Sequence, residues 1–200
     1  MSRRYKLGEN NKKGRDKLVV LITGLAGAGK STIAMTVFEK LKSMHFNTVL
    51  LDGDIFRDVL GNYGYSLGER LELAKKISAL CSFLNSQDVN VVCATMSLFK
   101  EIHQLNKNTI TNYYEVYVKV GFEELKRRDK KGLYSQALSG EINNVVGVDL
   151  PFDEPQNPDI VIENSFLDNL QEKADIIISF INNKHLDTKT YINSYSTYIY

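Results

Sequence analysis

Gly24-Leu25-Ala26-Gly27-Ala28-Gly29-Lys30-Ser31-Thr32 lies between the apolar run Leu18-Val19-Val20-Leu21-Ile22-Thr23 and the helix-prone Ile33-Ala34-Met35-Thr36-Val37-Phe38. It satisfies G-x-x-x-x-G-K-[ST] in full, in the strand-to-helix context that the pattern requires. A loop that wraps its backbone N–H groups around a phosphate needs glycines, which turn and approach closely without a Cβ clash. The helix that follows points its positive end at the same phosphates. The stretch Gly24 to Thr32 is therefore expected to bind the phosphates of ATP. Lys30 is expected on the outer phosphates, and the Ser31 hydroxyl on a magnesium ion.

Outward from this loop, short β-branched runs alternate with longer amphipathic stretches. The runs are 18–23, 48–51, 89–95, 114–120 and 160–162, and the helical patterns fall near 30–44, 67–86, 98–112, 122–128 and 166–182. This alternation predicts βαβ units joined by right-handed crossovers. The expected fold is α/β: a P-loop kinase architecture, with a five-stranded, mainly parallel sheet and helices on both faces. One domain over 18–183 is expected, between a flexible basic tail (1–17) and a C-terminal tail (184–200) without clear period. Pro151, Pro155 and Pro158 mark an extended polar loop before the last strand.

The 200 residues are 43% hydrophobic and 24% charged, enough for one sizeable core. A formal net charge of +1 argues against nucleic acid as a partner, because that binding depends on neutralising many phosphates at once. No apolar run approaches the roughly 20 residues of a membrane span, and no secretory segment opens the chain. A cytoplasmic location without membrane contact is expected. Cys81 and Cys93 sit in apolar segments and read as buried free thiols. His45, His103 and His185 have no partners in sequence, which argues against a metal site or a histidine base.

In a parallel sheet, ligands bind beyond the carboxyl ends of the strands. The second strand ends Leu51-Asp52-Gly53-Asp54-Ile55-Phe56-Arg57. Asp52 is expected to hold magnesium, Asp54 to accept the proton of an attacking hydroxyl, and Arg57 to grip an anionic acceptor. After the third strand, Ser97, Phe99 and Lys100 are candidates to face the acceptor. A helix cap, a core ring and a surface charge are their structural alternatives.

At these positions the chain resembles the adenylylsulfate kinases. Gly24–Thr32 is similar to that family's G-L-S-G-A-G-K-S-T, and Leu51–Arg57 to its L-D-G-D-N-x-R. The segment Arg128-Asp129-Lys130-Lys131-Gly132-Leu133-Tyr134 with Ala137, then 139–142, 147–149 and 154–158, is similar to its R-D-x-K-G-L-Y-x-x-A, G-E-I, G-I-D and E-x-P-E-x-P in the same order. The resemblance implies transfer of the γ-phosphate of ATP, with magnesium, to the 3′-hydroxyl of adenosine 5′-phosphosulfate. It implies that Lys30, Asp52, Asp54 and Arg128 form the reacting centre, with Arg128 also on ATP. It further implies that Arg57, Arg70, Ser97, Phe99, Lys100, Lys131, Leu133 and Val145 bind the acceptor, that 128–150 is a lid, and that the protein is a homodimer.

The donor side follows the family pattern, whereas the acceptor side departs from it. Where the family has a Phe that stacks on the acceptor's adenine, this chain has Val145. Asn143 stands for a Lys, and Leu73 for an Asn. Loss of an aromatic platform is worth about 1–3 kcal/mol of base stacking. The alternative acceptor is a related nucleotide such as cytidine diphosphoramidate, the substrate of a capsule-associated branch that this divergent chain also resembles. A nucleotide-dependent switch is the alternative from another class. Its guanine motif N-K-x-D is only approached, at Asn106-Lys107-Asn108-Thr109.

Overall fold

A computed structural model describes residues 17–44, 47–61, 64–166 and 168–195, with side chains as far as Lys184. The five expected strands are present: β1 (Val19–Thr23), β2 (Thr48–Asp52), β3 (Asn90–Ala94), β4 (Tyr113–Lys119) and β5 (Ile160–Glu163). They form one sheet in the order β2-β3-β1-β4-β5, and every pairing is parallel. All five residues of β1 are buried, as its continuous apolar run requires for a central strand covered on both faces.

Alternate residues of β1 divide between two cores. Val20 and Ile22 join the core under α1 (Lys30–Met44) and α7 (Leu170–Tyr195). Val19 and Leu21 join the core under α3 (Leu67–Ser86), where Leu73, Ile77, Cys81 and Cys93 pack. Cys81 and Cys93 are buried free thiols. The α3 helix begins with a capping box: the Ser66 side chain accepts from the Glu69 N–H, and the Glu69 carboxylate accepts from the Ser66 N–H.

Two short helices went unpredicted, α2 (Gly53–Val59) and α6 (Leu133–Leu138), because side-chain caps and contacts made by the folded chain, rather than a hydrophobic period, place them. Between α5 (Phe122–Arg128) and α6 lies a single 3₁₀ turn, Lys130–Gly132. Helix α4 is shorter than expected (Lys100–Thr109), and the Asn-Lys-Asn-Thr stretch lies inside it. The last helix runs beyond its expected end at 182. It continues through Lys184 to Tyr195, because no glycine or proline interrupts the chain from Leu170 onward. The expected N-terminal tail lies outside the described residues, except for Lys17, which pairs with Asp88. Among the described residues, no helix is long and apolar enough to cross a membrane.

His103 has a partner that the sequence alone did not reveal. It lies on α4 against Glu115 of β4, and both side chains are almost fully buried. Lys107 Nζ lies 3.1 Å from the other oxygen of Glu115, and the Tyr113 hydroxyl donates to the same carboxylate.

Candidate active site

The loop between β1 and α1 is shaped by its glycines and by donors from other elements. Gly24 has φ +152°, and a Cβ there would overlap the Val118 carbonyl. Gly29, at φ +97°, would place a Cβ 2.5 Å from Asn164 Nδ2. Four successive loop carbonyls are each engaged by a side chain. Lys30 Nζ donates to Leu25 O (2.9 Å), and the Tyr134 hydroxyl to Ala26 O (2.8 Å). Arg128 donates to Gly27 O (3.2 Å), and Asn164 Nδ2 to Ala28 O (2.7 Å). Because the C=O and N–H of one peptide unit point in opposite directions, holding the Ala26 and Ala28 carbonyls from Tyr134 and Asn164 turns the Gly27 and Gly29 N–H groups the other way, while the Ala28 N–H is used within the loop on Leu25 O. Each such bond contributes a net ~0.5–1.5 kcal/mol, so this belt of donors fixes the loop more firmly than glycine-rich backbone alone allows.

Lys30 is half-buried, and its ammonium pKa is lowered to about 8. Loss of hydration is the main cause, partly opposed by the Asp54 and Asp52 carboxylates. The Ser31 hydroxyl donates to Asp52 Oδ2 at 2.6 Å, and Asp52 Oδ1 accepts from the Asp54 N–H at 2.9 Å as the N-cap of α2. One carboxylate thus joins the loop to α2. A hydroxyl and a carboxylate oxygen this close are hard donors that fit a small divalent cation completed by phosphate oxygens and water. Gly53 is required at the turn, because a Cβ there would come within 2.7 Å of Thr95 Oγ1. Asp54 follows, exposed, in the first turn of α2.

Arg128 was expected on the phosphates. In this structure its side chain is 7% exposed and acts as a strut between the loop and the strand ends. It donates to Gly27 O and Asn164 O and pairs with Glu124 at 2.9 Å. Hydrogen bonds from Arg127 and then Arg128 hold the Glu124 carboxyl at about 2. Lys130 lies close enough to Lys30 to help depress its pKa. Tyr134, Asn164 and Glu124 were missed in the sequence. Asn164 follows β5 directly, so the strand-end rule applied to β2 and β3 would have found it.

The expected acceptor residues divide into two groups. Arg57 and Arg70 converge on the Tyr65 ring, with their guanidinium carbons 4.5 and 5.1 Å from its centre. Arg57 also donates to Gly64 O, and Arg70 donates to Tyr65 O and to Asn144 O in the 128–150 segment. Burial and then the charge of Arg57 lower the Arg70 pKa. Two cations held side by side in this way favour an anion between or beside them. Leu67, Arg70, Met96, Phe99, Val146 and Phe152 line a cavity of about 10 Å³ next to them, roughly the room of one water molecule.

The other group stands apart from that cavity. Ser97 is 2% exposed, its N–H donates to Thr23 Oγ1, and its own hydroxyl has no partner. Lys100 is exposed, with its N–H on Asp153 Oδ2. Lys131 is exposed at φ +64°, and Leu133 packs against the core. Val145 is 4% exposed within the core, and Asp149 holds the turn before it by accepting from the Asn144 and Val145 N–H groups. Leu73 also belongs to the core rather than to the cavity wall.

The family model for adenylylsulphate kinase matches residues 16–163. The chain is 46% identical over 160 residues to a cytidine diphosphoramidate kinase of Campylobacter jejuni, covering 80% of this chain and 94% of that protein. It is 35% identical over 184 residues to an adenylyl-sulfate kinase of Halothermothrix orenii, covering 92% and 95%. Among solved structures it is similar to the Mycobacterium tuberculosis APS kinase CysC in complex with AMPPNP and APS. The TM-score is 0.76 at 30% identity, covering 84% of this chain and 98% of the other. The family match over residues 16–163, together with these identities, shows that the chain is an ATP-dependent kinase belonging to the adenylylsulphate kinase family.

Proposed function

We propose that this kinase transfers the γ-phosphate of magnesium ATP to a hydroxyl of a pyrimidine nucleotide carrying an acidic 5′ group, with cytidine diphosphoramidate as the best candidate. The observation that carries this reading is the burial of Val145, which is 4% exposed and packed into the core. A Phe at this position in the resembled family supplies a stacking face, and here the rings beside the small cavity at Arg70 are those of Phe99 and Phe152. Without an aromatic at Val145 the acceptor side offers less stacking area, which suits a base smaller than adenine, since stacking strength grows with the area covered. The 46% identity to a cytidine diphosphoramidate kinase, against 35% to an adenylyl-sulfate kinase, supports the same choice.

In this reading the loop amides and Lys30 hold the donor phosphates, and Ser31 and Asp52 hold the magnesium ion. Bound there, the ion would supply positive charge to offset that of the phosphates. Asp54 takes or orients the proton of the acceptor hydroxyl, and the Arg57–Arg70 pair grips the acidic group of the acceptor. The donor belt from Tyr134, Arg128 and Asn164 keeps the loop in its binding shape.

Adenosine 5′-phosphosulfate remains a second reading, because the arginine pair and Phe99 also suit it. The test is ATP consumption by purified protein with magnesium, measured against cytidine diphosphoramidate, against adenosine 5′-phosphosulfate, and without acceptor. Turnover with cytidine diphosphoramidate at least tenfold above the adenylyl compound is expected. The reverse preference overturns the pyrimidine assignment, and acceptor-independent consumption overturns phosphotransfer to a second nucleotide.

A further inference from the structure

The strand order separates the groups at the end of β2 from those at the ends of β4 and β5, on either side of the loop that leaves β1. The loop leaves β1, at the centre of the sheet, while Asp52, Asp54 and Arg57 follow β2 at one edge. In-line transfer sets the attacking and leaving oxygens on opposite sides of the phosphorus. The donor's nucleoside must therefore leave towards the β4–β5 side, where Asn164 and the residues after it follow β5.

On that side Lys173 of α7 is surrounded by acceptors. Its ammonium donates to Asn164 Oδ1 (2.8 Å), Phe166 O (2.7 Å) and Asp168 O (2.7 Å), and its side chain is 13% exposed. The bond to Asn164 Oδ1 fixes which end of the amide faces the phosphate loop, because an ammonium can only donate. Asn164 Nδ2 is then committed to Ala28 O, and the Asn164 carbonyl receives Arg128. A chain of contacts thus runs from α7 to the loop backbone and ends beside Gly29.

We propose that Lys173 is a positioning residue for the phosphate donor: it orients Asn164, which holds the loop backbone at Ala28, and it shapes the backbone at Phe166 and Asp168 on the donor's exit side. This rests on the reading of Gly24–Thr32 as the donor site. Lys173 touches no reacting atom, and its effect belongs to donor binding rather than to the chemical step.

The test is calorimetric titration of magnesium AMPPNP, which needs no acceptor, into the unmodified chain, Lys173→Met, Asn164→Ala and the double variant. Each single change is expected to raise Kd about tenfold, the scale of one lost charge-assisted hydrogen bond. The double variant is expected to bind no more weakly than the weaker single, because both changes cut one link. In turnover with cytidine diphosphoramidate, the KM for ATP of Lys173→Met should rise while kcat stays within about twofold. Unmodified affinity in either single variant, additive losses in the double, or a fall in kcat at constant KM overturns the proposal. Failure of the unmodified chain to bind AMPPNP overturns the donor-site reading itself.

Discussion

Lys30 carries an electrostatic consequence that a calorimeter can read. In the protein without nucleotide its ammonium is poorly hydrated and titrates at about 8, against 10.5 for the ordinary side chain. A triphosphate beside it favours the charged form, so binding must raise the pKa and draw a proton from solution. At about pH 8.5 a group moving from about 8 to above 10 takes up roughly 0.7 proton, whereas near pH 7 the uptake falls to about 0.1. ATP itself is fully ionised at the higher pH and contributes little. The enthalpy of ATP binding at pH 8.5 should therefore change with the ionisation enthalpy of the buffer, and the dependence should shrink at pH 7. Lys30→Met should remove it and reduce turnover by at least 100-fold. Buffer-independent binding at pH 8.5 would show that the ammonium is already charged before ATP arrives.

Helix α2 illustrates how an element of seven residues can be placed by one side chain with two duties. Asp52 caps α2 through one oxygen and receives Ser31 through the other. Asn is as good a helix cap as Asp but is a poor ligand for magnesium. Asp52→Asn should keep the melting temperature within about 2 °C while lowering turnover at saturating magnesium by at least 100-fold. Asp52→Ala should lose both, with a stability cost of about 1 kcal/mol for the cap. Equal loss of stability in the two variants would argue that the charge, rather than the cap, holds α2 in place. The strands and the three long helices α1, α3 and α7 were legible because burial on a sheet or a helix face imposes a period on the sequence. Helices α2 and α6 were not, since tertiary contacts fix them: the Asp52 cap for one, and for the other the Asp129 carboxylate, which accepts from the Tyr134 and Ser135 N–H groups. The glycine loop and the carboxylates were legible as local motifs. The belt around the loop was not, because Tyr134 and Asn164 lie more than 100 residues from the carbonyls they reach. The burial of Val145 is likewise a fact of packing that no local pattern carries.

Across the molecule, the sheet is fastened to α4 on the face opposite α1 by one buried carboxylate. Glu115 pairs with Leu21 of β1 in the sheet register, is fully buried, and meets His103, Lys107 and the Tyr113 hydroxyl. Its own N–H donates to Asp159, and Lys107 reaches on to Asn157 O, so the cluster also ties down the loop that leads into β5. Burial works to raise the Glu115 pKa, but the hydrogen bond and charge of His103, with those of Lys107, outweigh it and leave the carboxyl below its ordinary range. A carboxyl depressed by folding stabilises the native state above its unfolded pKa, and that contribution is lost as the pH falls through the folded value. Replacing Glu115 by Gln leaves the buried His103 facing a neutral amide and takes the charge partner from the exposed Lys107, a loss of about 3 kcal/mol, the low end for a broken buried pair. Urea unfolding of the unmodified chain should therefore lose stability steeply below about pH 4.5. Glu115→Gln should start about 3 kcal/mol lower at neutral pH and fall less steeply over the same acidic range. The difference between the two stability curves should narrow with acid. If the curves instead run parallel from neutral to acidic pH, the Glu115 carboxyl is not the group whose ionisation holds α4 to the sheet.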